Sequence, residues 1–227
     1  MKLVIDCGSL QLKAGLFEGD TLIQARTFQR IEELTPFIAN RKIDQALACG
    51  NTKELLATLN IPCQSVAVAD FDRLGTDQTR PLLQPDKIAN IFGALYHFPL
   101  NDCVVVDLGS ILRFDYITKT GLCLGGAVFP LSEKVKPTGR PAEMLLTQEQ
   151  SGIYYGLLGI VERVVAELRS TSDTPSGVMV VVTGGWTLSE SFAHDLQDFT
   201  DCIDPHLTLT GLNQIIKDRK STRLNSS

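Results

Sequence analysis

The sequence predicts an α/β protein built twice over, each half a mixed sheet flanked by helices. Three observations predict it. A strongly apolar strand ending in Asp-x-Gly-Ser occurs at KLVIDCGS, from Lys2, and again at CVVVDLGS, from Cys103. Each copy heads a three-strand meander. Each meander is followed by alternating helix and strand patterns, which implies a mixed sheet with helices covering it.

In the first half, residues 2–6 read as a strand ending in Asp6-Cys7-Gly8. LKAGLFEG and DTLIQARTF follow as strands, with Gly19-Asp20 as the hairpin turn. RIEELTPFIANR predicts a helix with Ile31, Leu34, Phe37 and Ile38 on one face. DQALACG reads as a buried strand, NTKELLATLN as a helix capped by Asn51, and QSVAVAD as another strand. The stretch from Pro85 to Phe98 predicts a helix with Ile88, Ile91, Phe92 and Leu95 at helical spacing. Pro85 suits its first position and Asp86 its first turn.

In the second half, DCVVVDLGS, ILRFDYIT and GLCLGGAVFP are strands, and Lys119-Thr120-Gly121 turns between the last two. A helix over TQEQSGIYYGLLGIVERVVAELRS, a strand over GVMVVVTGG and a helix over TLSESFAHDLQDF complete the repeat. The boundary falls between Phe98 and Cys103. The expected organisation is a first domain over 1–100 and a second over 101–218. Residues 219–227 are set apart, because DRKSTRLNSS reads as a solvated tail or a cloning read-through.

Of 227 residues, 44% are hydrophobic and 21% charged, the balance of a soluble globular protein. A net charge of −5 with scattered Lys and Arg argues against nucleic acid as a partner. No apolar run approaches the roughly 20 residues of a membrane span, and the N-terminus lacks a signal-peptide layout. Six cysteines, none in a C-x-x-C pair, read as free thiols in a reducing compartment, so a cytoplasmic protein is expected. His97, His194 and His206 have no partner at metal-ligand spacing. Trp186 either shapes a ligand cleft or fills the core, and Tyr154-Tyr155 read as core or interface residues.

A tight turn after a buried strand aims backbone N–H groups outward, and glycine lets a phosphate come close to them. A carboxylate beside such a turn makes sense when a cation or a water lies between it and the phosphate. One Asp-x-Gly is an ordinary turn. Two, each heading a meander, point to paired loops that hold a nucleotide's phosphates from both sides.

The chain as a whole resembles the acetokinase, sugar kinase and actin superfamily, and in its details type III pantothenate kinase. The landmarks are VIDCGSLQLKAGLFEGDTLI, QPDKIANIFGALYHFP, VVVDLGSILRFDYIT with CLGGAVFP, QSGIYYGLLGIVERVV, VVVTGG and PHLTLTGL, in the family's order over residues 1–216. The resemblance implies duplicated ribonuclease H-like (actin-like ATPase) domains. It also implies an ATP-dependent transfer of phosphate to pantothenate, the first step towards coenzyme A. Mg2+ would accompany ATP, a monovalent cation (K+ or NH4+) would be bound, and the enzyme would be a homodimer.

Carried over residue by residue, the first loop implies ATP contacts at Asp6, Gly8, Ser9 and Lys13. Lys13 is open to a second reading, as a solvent-facing strand lysine. The second loop implies ATP contacts at Gly109 and Ser110 and the monovalent cation at Asp107. Asp115 is either a second neighbour of that cation or a buried structural carboxylate. The catalytic base maps to Asp86, which keeps the family's spacing to Ala89-Asn90 and Gly93-Ala94, with Asp77 in Gly75-Thr76-Asp77 as runner-up. Lys87 stands where the family has arginine, keeping the charge and losing the bidentate fork. Lys87, Asn90 and Leu145 map to substrate-binding positions; at Leu145 the family has a threonine. Ser9-Leu10 replaces Asn-Thr, Gln84-Pro85 replaces Gly-x, and Pro130-Leu131 replaces Pro-Gly. These departures keep a second reading open, a catalytically degenerate nucleotide-binding or regulatory homologue of the same fold.

Overall fold

The computed structural model describes residues 1–8, 11–59, 61–67, 69–70, 84–131 and 148–225. They divide into two compact units, residues 1–97 with 206–227 and residues 98–205.

In the first unit β1 (Lys2–Cys7), β2 (Leu12–Glu18) and β3 (Thr21–Phe28) form the expected antiparallel meander. β4 (Gln45–Gly50) and β5 (Gln64–Ser65) add on in parallel, giving the order β3-β2-β1-β4-β5. Leu3, Val4 and Ile5 are all fully buried, because helices cover both faces of the sheet. Leu3, Ile5, Ala14 and Ala48 pack with Leu34 and Phe37 of α1 (Leu34–Ile38) and Leu55 of α2 (Lys53–Thr58). Val4, Phe17, Leu47 and Cys49 pack on the other face, against α3 (Pro85–His97) and the C-terminal helix.

The second unit repeats the plan. β6 (Cys103–Leu108), β7 (Ile111–Ile117) and β8 (Cys123–Pro130) form a meander, and β9 (Met179–Thr183) and β10 (Cys202–Ile203) join in parallel, in the order β10-β9-β6-β7-β8. One face, with Val104, Val106, Leu112 and Phe114, packs on α4 (Gln148–Ser170) and α5 (Glu190–Leu196). Tyr154, Leu157, Val161 and Val165 supply the buried stripe of α4 at helical spacing. Duplicated ribonuclease H-like units are the fold.

Several local expectations shift. The segment expected as one helix from Arg30 is a 3-10 turn over Ile31–Glu33 and five residues of α1. Asn51 does not cap α2: Thr52 holds that position without a side-chain cap bond, its hydroxyl paired instead with Ser65 Oγ at 2.9 Å. Of the strand expected from Gln64, two residues pair.

The larger difference is at the C-terminus. Residues expected in the second domain and the tail form α6 (Leu207–Asn225), which belongs to the first unit. Leu209, Leu212, Ile215 and Ile216 bury one of its faces on that sheet. The approach to α3 is close. A Cβ on Gly211 would stand 1.7 Å from the Ala89 carbonyl oxygen, and one on Gly93 2.6 Å from that of Leu207. That contact explains why Gly93 and Gly211 sit inside helices despite a cost of about 1 kcal/mol each relative to alanine.

Candidate functional site

In the first unit the ladder sets Cys49, Asp6, Lys13 and Thr27 in one row across β4, β1, β2 and β3. Residues directly opposite in a ladder share a face, so this row lies on the face that α3 and α6 cover. The Cys49 thiol donates to Asp6 Oδ1 at 3.5 Å. Asp86, in the first turn of α3, lies within electrostatic reach of both Asp6 and Cys49. Burial pushes the Asp6 carboxyl above its ordinary value, the Lys13 ammonium opposes the shift, and the Asp86 carboxylate adds to it. Burial first, then the two carboxylates, hold the Cys49 thiol well above its ordinary value.

Asp86 is placed by its helix. The Ile88 N–H donates to the Gln84 carbonyl at 3.1 Å, which starts α3 at Pro85. Asp86 Oδ1 accepts the Lys87 N–H at 2.9 Å, one of the N-terminal donors that a helix leaves unmatched. Asn90, one turn on, is 4% exposed, and its Oδ1 accepts from the Thr208 hydroxyl of α6 at 2.8 Å. Its side chain therefore ties two helices of the first unit together. Gly8 makes the turn after β1, where a Cβ would stand 3.0 Å from the Gln11 carbonyl oxygen. Ser9, Asp77 and Leu145 lie outside the described residues.

The second unit has the same device with one residue fewer in the turn. Here the row is Thr183, Asp107, Arg113 and Val128 across β9, β6, β7 and β8. Gly109 closes the hairpin, its N–H donating to the Ile111 carbonyl at 3.2 Å, and Ser110 is exposed at the tip. Asp115, two residues beyond Arg113 on the same face, is 7% exposed, with the Cys123 Sγ 4.0 Å from its Oδ1.

The neighbouring parallel strands end alike. Gly50 after Cys49 and Gly184 after Thr183 both have positive φ, 82° and 103°. A Cβ on Gly50 would stand 2.2 Å from the Cys7 carbonyl oxygen, and one on Gly184 2.3 Å from that of Leu108. Each glycine thus lies against the residue that follows its loop aspartate. Trp186 is 8% exposed and packs on Phe192 with ring centres 5.7 Å apart, so it fills the core of the second unit.

The structure thus brings Asp6, Lys13 and Asp86 together in one unit, and Asp107, Gly109 and Ser110 in the other. Cys49, Arg113 and Thr183 were not singled out from sequence as site residues. The signal that finds them is their register opposite the two aspartates. Among the described residues, no group of three or more His, Cys, Asp or Glu side chains gathers as a metal site.

A family model described as type III pantothenate kinase matches residues 2–130, which include both loops and α3. The chain belongs to the type III pantothenate kinase family. A type III pantothenate kinase of Dehalococcoides mccartyi is 31% identical over 147 residues, 57% of this chain and 55% of that relative. The matched stretch thus spans little more than half the length of that relative. The type III pantothenate kinase of Geotalea uraniireducens is 23% identical, over 98% of this chain and 100% of that relative.

Two solved structures share the fold. A protein described as a conserved Baf family transcriptional activator, from Campylobacter jejuni, has a TM-score of 0.57 at 19% identity, covering 96% of this chain and 99% of that one. An inorganic polyphosphate/ATP-glucomannokinase from an Arthrobacter species has a TM-score of 0.51 at 14% identity, covering 97% and 98%. Against the type III pantothenate kinase pattern, the Gly-Ala pair of the α3 motif and the glycine of PHLTLTGL now have a physical reason. They let α3 and α6 approach to backbone contact, which fixes the helix that carries Asp86.

Proposed function

We propose that the chain transfers the γ-phosphoryl group of ATP to the primary hydroxyl of pantothenate, giving 4'-phosphopantothenate, the first step towards coenzyme A. The observation that carries this reading is Asp86. It keeps the family's spacing to Asn90 and Gly93, and it lies within electrostatic reach of Asp6 at the first loop. Asp86 takes the hydroxyl proton while that oxygen bonds to phosphorus and the bond to the ADP oxygen breaks. The turns after Asp6 and Asp107 would let phosphate approach the backbone at the exposed Gly8 and Ser110, and Lys13 adds a cation beside Asp6. Lys87, next to Asp86 in the first turn of α3, contacts the acceptor. Asn90 acts through the placement of α3.

Mg2+ accompanies ATP and screens the charge of its phosphates. A monovalent cation at Asp107, K+ or NH4+, would have to share its row with the Arg113 guanidinium, which offers it no donor oxygen. The expected homodimer is tested by sedimentation equilibrium, where a mass of one chain would contradict it. Among the described residues, no helix is long and apolar enough to cross a membrane. The six cysteines are free thiols, four of them buried, which accords with a cytoplasmic setting.

The direct test is ADP formation by the purified protein with ATP and Mg2+. Formation that depends on pantothenate supports the proposal. ADP formation indifferent to pantothenate, or none at saturating ATP, contradicts it.

A further inference from the structure

The two hairpins are built on one plan, and the plan carries a residue with no assigned role. In the first unit the loop aspartate, Asp6, faces a basic residue, Lys13, directly across the ladder. In the second unit Asp107 faces Arg113 in the same way. The parallel neighbours agree as well: Cys49 and Thr183 flank the two aspartates, and Gly50 and Gly184 pack on the carbonyl that follows each. Arg113 is thus the structural counterpart of Lys13. Both basic residues stand one pair before the end of their ladder, and the arginine side chain is the longer of the two. Val128, next in the row, is 62% exposed, so the sheet is open on that side of Arg113.

The face carries two carboxylates, Asp107 opposite Arg113 and Asp115 two residues beyond it, so the group here that would meet an anion is the guanidinium. A monovalent cation needs several oxygen donors around it. Asp107 and Thr183 offer side-chain oxygen, but Arg113 brings five N–H donors, no acceptor and a permanent positive charge. Directly opposed ladder residues have Cβ atoms about 4.5–5.5 Å apart, well within the reach of an arginine side chain. A planar guanidinium can also hold two phosphate oxygens at once.

We propose that Arg113 is a phosphate-binding residue of the second loop, and that its guanidinium supplies beside Asp107 the positive charge a bound monovalent cation would otherwise supply. The inference rests on the nucleotide-binding part of the proposed function and is independent of the acceptor. It makes nucleotide binding by this chain indifferent to K+.

The test is calorimetric titration of the full chain with MgADP in potassium, sodium and tetramethylammonium buffers of equal ionic strength. Wild type should give the same Kd within about twofold in all three. Arg113→Met should weaken binding roughly 10- to 100-fold in tetramethylammonium, the worth of a charge-assisted contact. Potassium should restore part of that loss, because a mobile cation can enter where the guanidinium stood. Arg113→Lys, which keeps the charge without the fork, should fall between the two and serves if the methionine variant does not fold. A wild-type Kd at least tenfold tighter in potassium, or an Arg113→Met protein that binds like wild type, overturns the inference and leaves the kinase reading standing. No MgADP binding in any buffer overturns the nucleotide reading, and this inference with it.

Discussion

Asp6 at the end of β1 and Asp86 in the first turn of α3 act on each other electrostatically: the second carboxylate helps hold the first above its ordinary value. Burial is the larger cause, and the Lys13 ammonium across the ladder works against both. Because the folded value is raised, the native state binds a proton more readily than the unfolded chain. The stability tied to this group is present at acid pH and is lost as pH rises from the ordinary carboxylate range through the raised folded value. Asp6→Asn should therefore raise the thermal midpoint at neutral pH, with the gain shrinking on acidification, while MgADP binding falls. A midpoint below wild type at neutral pH would contradict this account of Asp6.

Lys13 was open to two readings from sequence, and its place decides what to expect of it. It lies opposite Asp6, on the face covered by α3 and α6. Lys13→Met should weaken MgADP binding about tenfold or more, the scale of a hydrogen bond to a charged group. Lys13→Arg should recover much of the loss. Titration of both variants checks it, and a methionine variant that binds like wild type would make Lys13 an ordinary strand residue.

Gly50 and Gly184 should resist substitution equally. A Cβ at either would press on a backbone carbonyl, and the positive φ adds strain for any other residue. Alanine at either position should cost about 2 kcal/mol or more of unfolding free energy and loosen the adjoining loop. Urea denaturation reads the first effect and MgADP titration the second.

Gly211 tests the placement of α6. Alanine there would put a methyl group against the Ala89 carbonyl, so α3 and α6 must move apart. The expected loss is on the order of 3 kcal/mol. Turnover should fall by more than stability explains, because α3 carries Asp86. Wild-type stability in Gly211→Ala would show that the helices do not meet there.

The duplication was legible because it is written in short-range signals: apolar strands, each closed by Asp-x-Gly, with turns at Gly19-Asp20 and Lys119-Thr120-Gly121. The helix that carries Asp86, Asn90 and Gly93 was legible from its apolar spacing. The placing of Arg113 opposite Asp107 and of Cys49 beside Asp6 was not, because it comes from cross-strand register, which the sequence does not state. α6 escaped for a different reason. Its buried stripe, Leu209, Leu212, Ile215 and Ile216, is short and is followed by a polar run, so the segment looked like the edge of a tail. Thr52 shows the same limit at small scale: its hydroxyl serves Ser65 across the fold and leaves the helix end uncapped.

The measurement that bears most directly on the central claim is pantothenate-dependent ADP formation by wild type and Asp86→Asn, with MgADP binding measured on both proteins. The account predicts turnover in wild type and a loss of about 10²- to 10⁴-fold in the variant, with nucleotide binding largely kept, because a general base has been removed. An Asp86→Asn protein that turns over pantothenate like wild type would contradict the assignment of Asp86 as the base.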